Sequence, residues 1–328
     1  MESLSQPVEK IAIPLAIPAP AYLRDHRVGG LAVLPAVEAL QNVARSKPAN
    51  WGADPCRQVR AVFHHLLEID PGAGEIPALH EHVRYADGRC LSRLTTLRSG
   101  RHLKFTRRME HVSVWFTPEG RDAAGCGAGC ETGDRAGNQT GSPTDPARAR
   151  RGPSRYGEDF GLEMDFPPDS VDAGMPEGPT FTVSDSRLYD ELVPFGPAYR
   201  NVRGDVSLTE GGVSATVSGG DFPEAEGPLG SPFPLDAAMH AACAWGQRYR
   251  NRVVFPIGFD RREILAPTRA GETYLCRITP LPDAGAVRRF DVRLYGRNRR
   301  PAEVIRGLMM RDIFGGKLTP PAWVREGV

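Results

Sequence analysis

The chain has 328 residues, 40% hydrophobic and 25% charged, with a formal net charge of +1. This composition is globular, and the length suits about two units of roughly 150 residues around a sizeable core. The near-neutral balance gives no field to recruit nucleic acid, no stretch is long and apolar enough to cross a bilayer, and six cysteines in this length do not read as a disulfide framework, so a soluble cytoplasmic protein is expected.

Residues Ile11–Ile17 read as an extended segment. They lead into Asp25-His26-Arg27-Val28-Gly29-Gly30-Leu31-Ala32-Val33-Leu34-Pro35. His26 is a group that titrates near neutral pH, held in a loop beside a glycine pair whose backbone a ligand can approach closely. Pro35 then opens a helix. Such a place suits a general base next to an oxyanion-stabilising site; an ordinary loop histidine is the other reading. Leu34, Val37, Leu40, Gln41 and Ala44 fall near one helical face, and the helix ends near Ser46 because Pro48 follows.

From Arg57 to Phe116 the pattern alternates as in strands, with a turn at Asp70-Pro71-Gly72 and a hairpin signal at Asp87-Gly88. Residues 118–179 are rich in Gly, Pro, Asp and Ser, which reads as a partly mobile linker between an N-terminal unit, 1–117, and a C-terminal unit, 180–328. Cys126 and Cys130 lie in that stretch without further ligands at zinc spacing. His64-His65 and His80-Glu81-His82 make no recognised metal pattern either, and glycine-rich phosphate-binding motifs are absent. No metal or cofactor is expected.

In the C-terminal unit, Phe181–Val183 reads as extended, with Ser184 or Asp185 capping a short helix. Val202–Leu208 and Val213–Val217 flank a hairpin turn. A second helix runs from Pro234 through Trp245, and strand-like runs follow at Thr273–Thr279, Arg288–Tyr295 and Ala302–Asp312. Each half therefore holds one central helix and several strands, an α+β arrangement without a sequence repeat.

Three patterns remain. His26, Gly30 and Pro35 fit H-x-x-x-G-x-x-x-x-P. Phe195-Gly196-Pro197-Ala198-Tyr199 fits Y-G-P-x-F with two conservative changes. Ser231–His240 is similar to H-P-x-x-L-D-x-x-x-Q/H. In this order, the three resemble the signatures of polyketide synthase dehydratases, over about residues 15 to 315. The resemblance implies a double hotdog, two antiparallel sheets each wrapped around a central helix, with the active site between the halves. It also implies a hydro-lyase that takes water from a 3-hydroxyacyl thioester on an acyl carrier protein and leaves the 2-enoyl thioester.

On that resemblance His26 is the base and Asp236 the acid, while Gly30, Pro35, Phe195, Gly196, Pro197, Tyr199 and His240 are supporting residues. A backbone N–H near Gly30 would stabilise the thioester oxygen. Asp236 and His240, at i and i+4, share a helix face, so His240 can orient the carboxyl. For Asp236 to serve as the acid, burial among Phe233, Leu235 and Met239 would have to raise its pKa, against the helix dipole. Phe195 stands where the family has a tyrosine and Ser231 where it has a histidine, which leaves an altered substrate or reaction open. Rival readings are a product-template-like cyclase, a double-bond isomerase, and a non-catalytic acyl-binding scaffold. The partner implied is an acyl carrier protein bearing a phosphopantetheine-linked substrate. Arg248, Arg250, Arg252, Arg261 and Arg262 are a candidate docking patch for it, with a solvated loop as the alternative. Hotdog proteins commonly pair through their sheets, which adds a homodimer.

Overall fold

A computed structural model describes residues 6–70, 72–99, 106–118 and 178–326. Most of the expected linker, with Cys126 and Cys130, lies outside the described residues. Strand β1 spans Pro7–Pro18. A short 3-10 turn, Ala21–Asp25, leads to His26 and a small hairpin of β2 (Arg27–Val28) and β3 (Leu31–Ala32). Helix α1 follows at Ala36–Ser46, then β4 (Ala53–Phe63), β5 (Glu75–Tyr85), β6 (Cys90–Ser99) and β7 (Thr106–Pro118). The second half begins with β8 (Phe181–Val183) and a one-turn helix α2 (Asp185–Arg187). It continues with β9 (Val202–Thr209), β10 (Gly212–Ser218), α3 (Phe233–Arg250), β11 (Phe255–Ile264), β12 (Thr273–Ala284), β13 (Val287–Tyr295), β14 (Pro301–Arg311) and a short α4 (Ala322–Glu326).

Twelve strands form one antiparallel sheet in the order β1-β5-β6-β7-β4-β11-β14-β13-β12-β10-β9-β8. The first five belong to the N-terminal half and pack on α1; the other seven wrap α3. This is the double hotdog. Antiparallel strands with one face on a helix need alternating apolar residues, and β13 shows the pattern: Phe290, Val292 and Leu294 are buried while their neighbours are not. Helix α1 buries Val37, Leu40, Val43 and Ala44 on one stripe. Helix α3 is enclosed nearly all round, from Phe233 to Gln247, so its alanines at 237, 238, 241, 242 and 244 let sheet and neighbouring turns close on it.

The halves are joined at the β4–β11 pairing, where Gly258 faces Val62 and Glu263 faces Arg57. Sequence reading missed β11, because Pro256, Gly258 and the charged run Asp260–Glu263 hide its alternation. The correction removes the arginine patch as well. Arg262 is buried and paired with Glu303 at 2.8 Å. Arg250 pairs with Asp283, and Arg261 with Glu263. The Arg248 guanidinium donates to the Val324 and Arg325 carbonyls and lies over Phe181. Among the described residues, Arg252 alone of the five is spent only on the carbonyl beside it, that of Asn251, so the cluster is not one docking surface.

Two links set α1 against the approach to α3. The Gln41 side-chain amide donates to the Gly230 carbonyl, and its oxygen accepts from the Leu229 N–H at 3.2 Å. Ser231, where the resemblance has a histidine, donates to the Gly219 carbonyl at 2.7 Å, so its role is to fix the loop that starts α3.

Candidate active site

His26 and Asp236 meet where the halves join. His26 Nδ1 lies 3.1 Å from the Val33 carbonyl oxygen. A carbonyl only accepts, so Nδ1 carries the proton and Nε2 keeps a lone pair. That Nε2 lies 4.0 Å from Asp236 Oδ1, with both side chains nearly buried. The geometry comes from the β2–β3 hairpin. Gly29 and Gly30 both have positive φ, 60° and 85°, the demand of a tight I′ turn, and the hairpin brings Val33 back beside His26.

Gly30 is therefore a turn residue. It is exposed at the hairpin tip, and it does not line the cavity that holds His26. This corrects the expectation of an oxyanion-stabilising N–H there. Pro35 caps α1 with φ −60° and ψ 147°, and the next residue, Ala36, reaches the cavity. The first turn of α1, whose N–H groups no helical carbonyl can satisfy, thus borders the cavity at Ala36, whereas Gly30 does not.

Phe195 stacks on His26 with ring centroids 4.4 Å apart and planes at 15°, and its other neighbour is the His240 ring at 4.7 Å. Gly196 is required by a close approach: a Cβ there would lie 2.5 Å from Asp25 Cγ. Pro197 opens the 3-10 turn Pro197–Tyr199. Asp25 holds this segment, accepting from the Gly196 N–H through its carbonyl at 2.8 Å and from the Ala198 N–H through its carboxylate at 2.9 Å. Tyr199 lies edge-on to His26, ring centroids 5.1 Å apart. Its hydroxyl is buried without a hydrogen-bond partner among the described residues.

His240 Nε2 lies 3.0 Å from Asp236 Oδ2, the i,i+4 contact expected. The contact is close, yet neither atom makes an aligned hydrogen bond. Tyr189 supports His240 from behind: its hydroxyl accepts from the Val202 N–H at 2.8 Å and lies 3.3 Å from His240 Nδ1. Asp25, Tyr189 and Gln41 escaped sequence reasoning, since none belongs to a motif and each partner is distant in the chain.

Electrostatics divides the pair. Burial pushes the His26 pKa below its ordinary 6.5, favouring the neutral ring. Burial pushes Asp236 up, as expected, but the His240 and His26 imidazoles outweigh it and hold the carboxyl below its ordinary 3.8. A charged imidazole beside it favours the carboxylate, whereas with the His26 ring neutral burial favours the protonated acid.

Both groups border a cavity of about 380 Å³ lined by apolar residues that include Leu34, Ala39, Val193, Met239, Cys243 and Val254. Its exposed end is built from the end of β4 with His64–Leu66, the start of β11, and Arg311–Ile313. Among the described residues no group of His, Cys, Asp and Glu could hold a metal ion, and no helix is long and apolar enough to cross a membrane.

No protein-family model and no curated protein matches the chain. Solved structures do. A dehydratase domain of a mycocerosic acid synthase-like polyketide synthase is 18% identical, with TM-score 0.65 and 93% of each chain covered. An N-terminal dehydratase from the difficidin assembly line is 15% identical, with TM-score 0.61 over 92% of this chain and 93% of that one. The dehydratase domain of PpsC from Mycobacterium tuberculosis, solved with C12:1-CoA, is 15% identical, with TM-score 0.57 over 94% and 97%. The fold of this chain is that of the polyketide synthase dehydratase domains its sequence resembles.

Proposed function

We propose that the chain is a 3-hydroxyacyl-[acyl carrier protein] dehydratase. The observation that carries this reading is a neutral His26 Nε2 facing Asp236 at 4.0 Å on the wall of an apolar cavity. His26 takes the α-proton, made acidic by the thioester. The α-carbon electrons form the new double bond, the C3–O bond breaks, and the hydroxyl leaves as water with a proton from Asp236. In between, charge gathers on the thioester oxygen, for which the first-turn N–H groups of α1, beside the cavity at Ala36, are the candidate donors. The apolar wall accepts the acyl chain, and exclusion of water strengthens each of these interactions.

A carrier-bound substrate suits the site because the cavity opens at one surface, where a flexible arm can present the thioester. Docking there in the cytoplasm, and pairing of two copies, belong to the same proposal. The test is His26→Ala and Asp236→Asn on a medium-chain 3-hydroxyacyl carrier protein. Each is expected to lower kcat by about 10²-fold or more, the usual weight of a general acid or base. Folded variants that dehydrate at the parent rate overturn the assignment.

A further inference from the structure

Asp236 serves as an acid only when its proton sits on the oxygen turned toward the reaction. Oδ1 is that oxygen, since it faces His26 Nε2 at 4.0 Å, while the buried Oδ2 lies 3.0 Å from His240 Nε2. Which oxygen keeps the proton depends on what His240 Nε2 presents. A lone pair there draws the acid proton onto Oδ2, away from His26. An N–H there leaves Oδ2 as the accepting side and Oδ1 as the hydroxyl. A neutral imidazole has two tautomers, so a neighbour has to choose between them.

The choice is made behind the ring. Tyr189 is 2% exposed and belongs to the turn Leu188–Leu192, closed by a bond from the Val193 N–H to the Leu188 carbonyl at 2.8 Å. Single π turns of this kind are frequent at functional sites. This one sets the Tyr189 ring edge-on to His240, planes at 89° and centroids 5.7 Å apart. The Val202 N–H, at the start of β9, donates to the Tyr189 oxygen at 2.8 Å. A backbone N–H can only donate, so the phenolic proton goes elsewhere. Among the described residues the acceptor in its reach is His240 Nδ1, at 3.3 Å. A neutral ring that accepts at Nδ1 carries its proton on Nε2.

We propose that Tyr189 is a positioning residue: it fixes the His240 tautomer and thereby keeps the acid proton of Asp236 on Oδ1. The proposal rests on the dehydratase reading and deepens it. The first donor in the series is backbone, which neither titrates nor turns, so the direction of each later contact follows from it. Phe195, against the His240 ring at 4.7 Å, has no polar atom to compete. The Nε2–H and Oδ2 are close but off line, so His240 acts on Oδ2 through the positive end of a bond dipole, which counts for more in a buried site than in water.

The experiment has two arms. The first is nitrogen NMR of the histidine-labelled full chain at about pH 8, where an ordinary imidazole is neutral, with the His240 signals identified by their loss in His240→Leu. The parent is expected to show a protonated Nε2 and a bare Nδ1, and Tyr189→Phe a mixture of both tautomers. A protonated Nδ1 in the parent, or an unchanged pattern in Tyr189→Phe, overturns the assignment. The second arm follows dehydration of a medium-chain 3-hydroxyacyl pantetheine. Tyr189→Phe is expected to lower kcat about 10-fold, the weight of partners that orient a working imidazole, with KM changed less than about threefold. Added to His240→Leu, the same change is expected to alter kcat less than about twofold, because no ring is left to orient. The Val202 N–H loses its acceptor in both backgrounds, so a merely structural tyrosine costs the same in each, and equal losses overturn the proposal. If the parent makes no enoyl product, the dehydratase reading fails, and the NMR arm still judges the tautomer.

Discussion

A methyl group at position 196 has nowhere to go. It would meet the Asp25 carboxyl, a short side chain held by the Ala198 N–H, while the Gly196 N–H bonds the backbone carbonyl of the same residue. Gly196→Ala is expected to cost about 1–3 kcal/mol of stability, the range for forced overpacking, and to cut kcat because His26 is the next residue. Calorimetry and the dehydratase assay check both, and a variant unchanged in each contradicts the role of Asp25. The residues that the fold brings together were legible at this scale, because His26 and the Asp236–His240 pair sit in short local patterns. Asp25 was not: its partner Ala198 lies 173 positions away, and no local periodicity records such a bond. Gly30 was legible as a necessary glycine but misread in purpose, since a turn and a close backbone approach ask for the same residue.

At the scale of elements, helices α1 and α3 were readable from their apolar spacing, and hairpins from Asp87-Gly88 and the glycine pair at 211–212. Strand β11 was not, although it carries the seam between the halves, because proline, glycine and charge obscure a strand that neighbours on both sides support. Strand β5 carries a different burden. His80 and His82 are 2% and 0% exposed and share the Ser46 hydroxyl, 2.7 Å from His80 and 3.1 Å from His82. Burial lowers both pKa values from 6.5 to about 4. The unfolded chain takes up these protons once pH drops below 6.5, while the folded chain refuses them until about 4, so this part of stability is lost as pH falls through that window. Thermal melts should show a steeper fall for the parent than for His80→Gln/His82→Gln over this range, and equal slopes contradict the assignment. The Gln41 clamp is separately testable. Gln41→Ala leaves the buried Leu229 N–H unpaired and removes one of two donors to the Gly230 carbonyl, and is expected to cost about 1–3 kcal/mol, read by denaturant unfolding.

Across the whole molecule, the fold brings together residues far apart in sequence: the first half supplies His26 and the second Asp236, and the β4–β11 pairing joins the halves. The fold class was legible because each half holds one central helix and several strands, while the cavity's bounds were not, since they depend on which small residues face it. Ala39 is one of these, so Ala39→Leu should narrow the chamber. For long-chain substrates kcat/KM is expected to fall about 10-fold or more, with short chains nearly unaffected, and equal losses for both would contradict a chain-length role. The most direct measurement is mass spectrometry of a 3-hydroxyacyl carrier protein incubated with the purified chain. Loss of one water to give an open-chain 2-enoyl thioester, abolished in Asp236→Asn, is the expected result. A cyclised product, a shifted double bond without water loss, or unchanged substrate would contradict it.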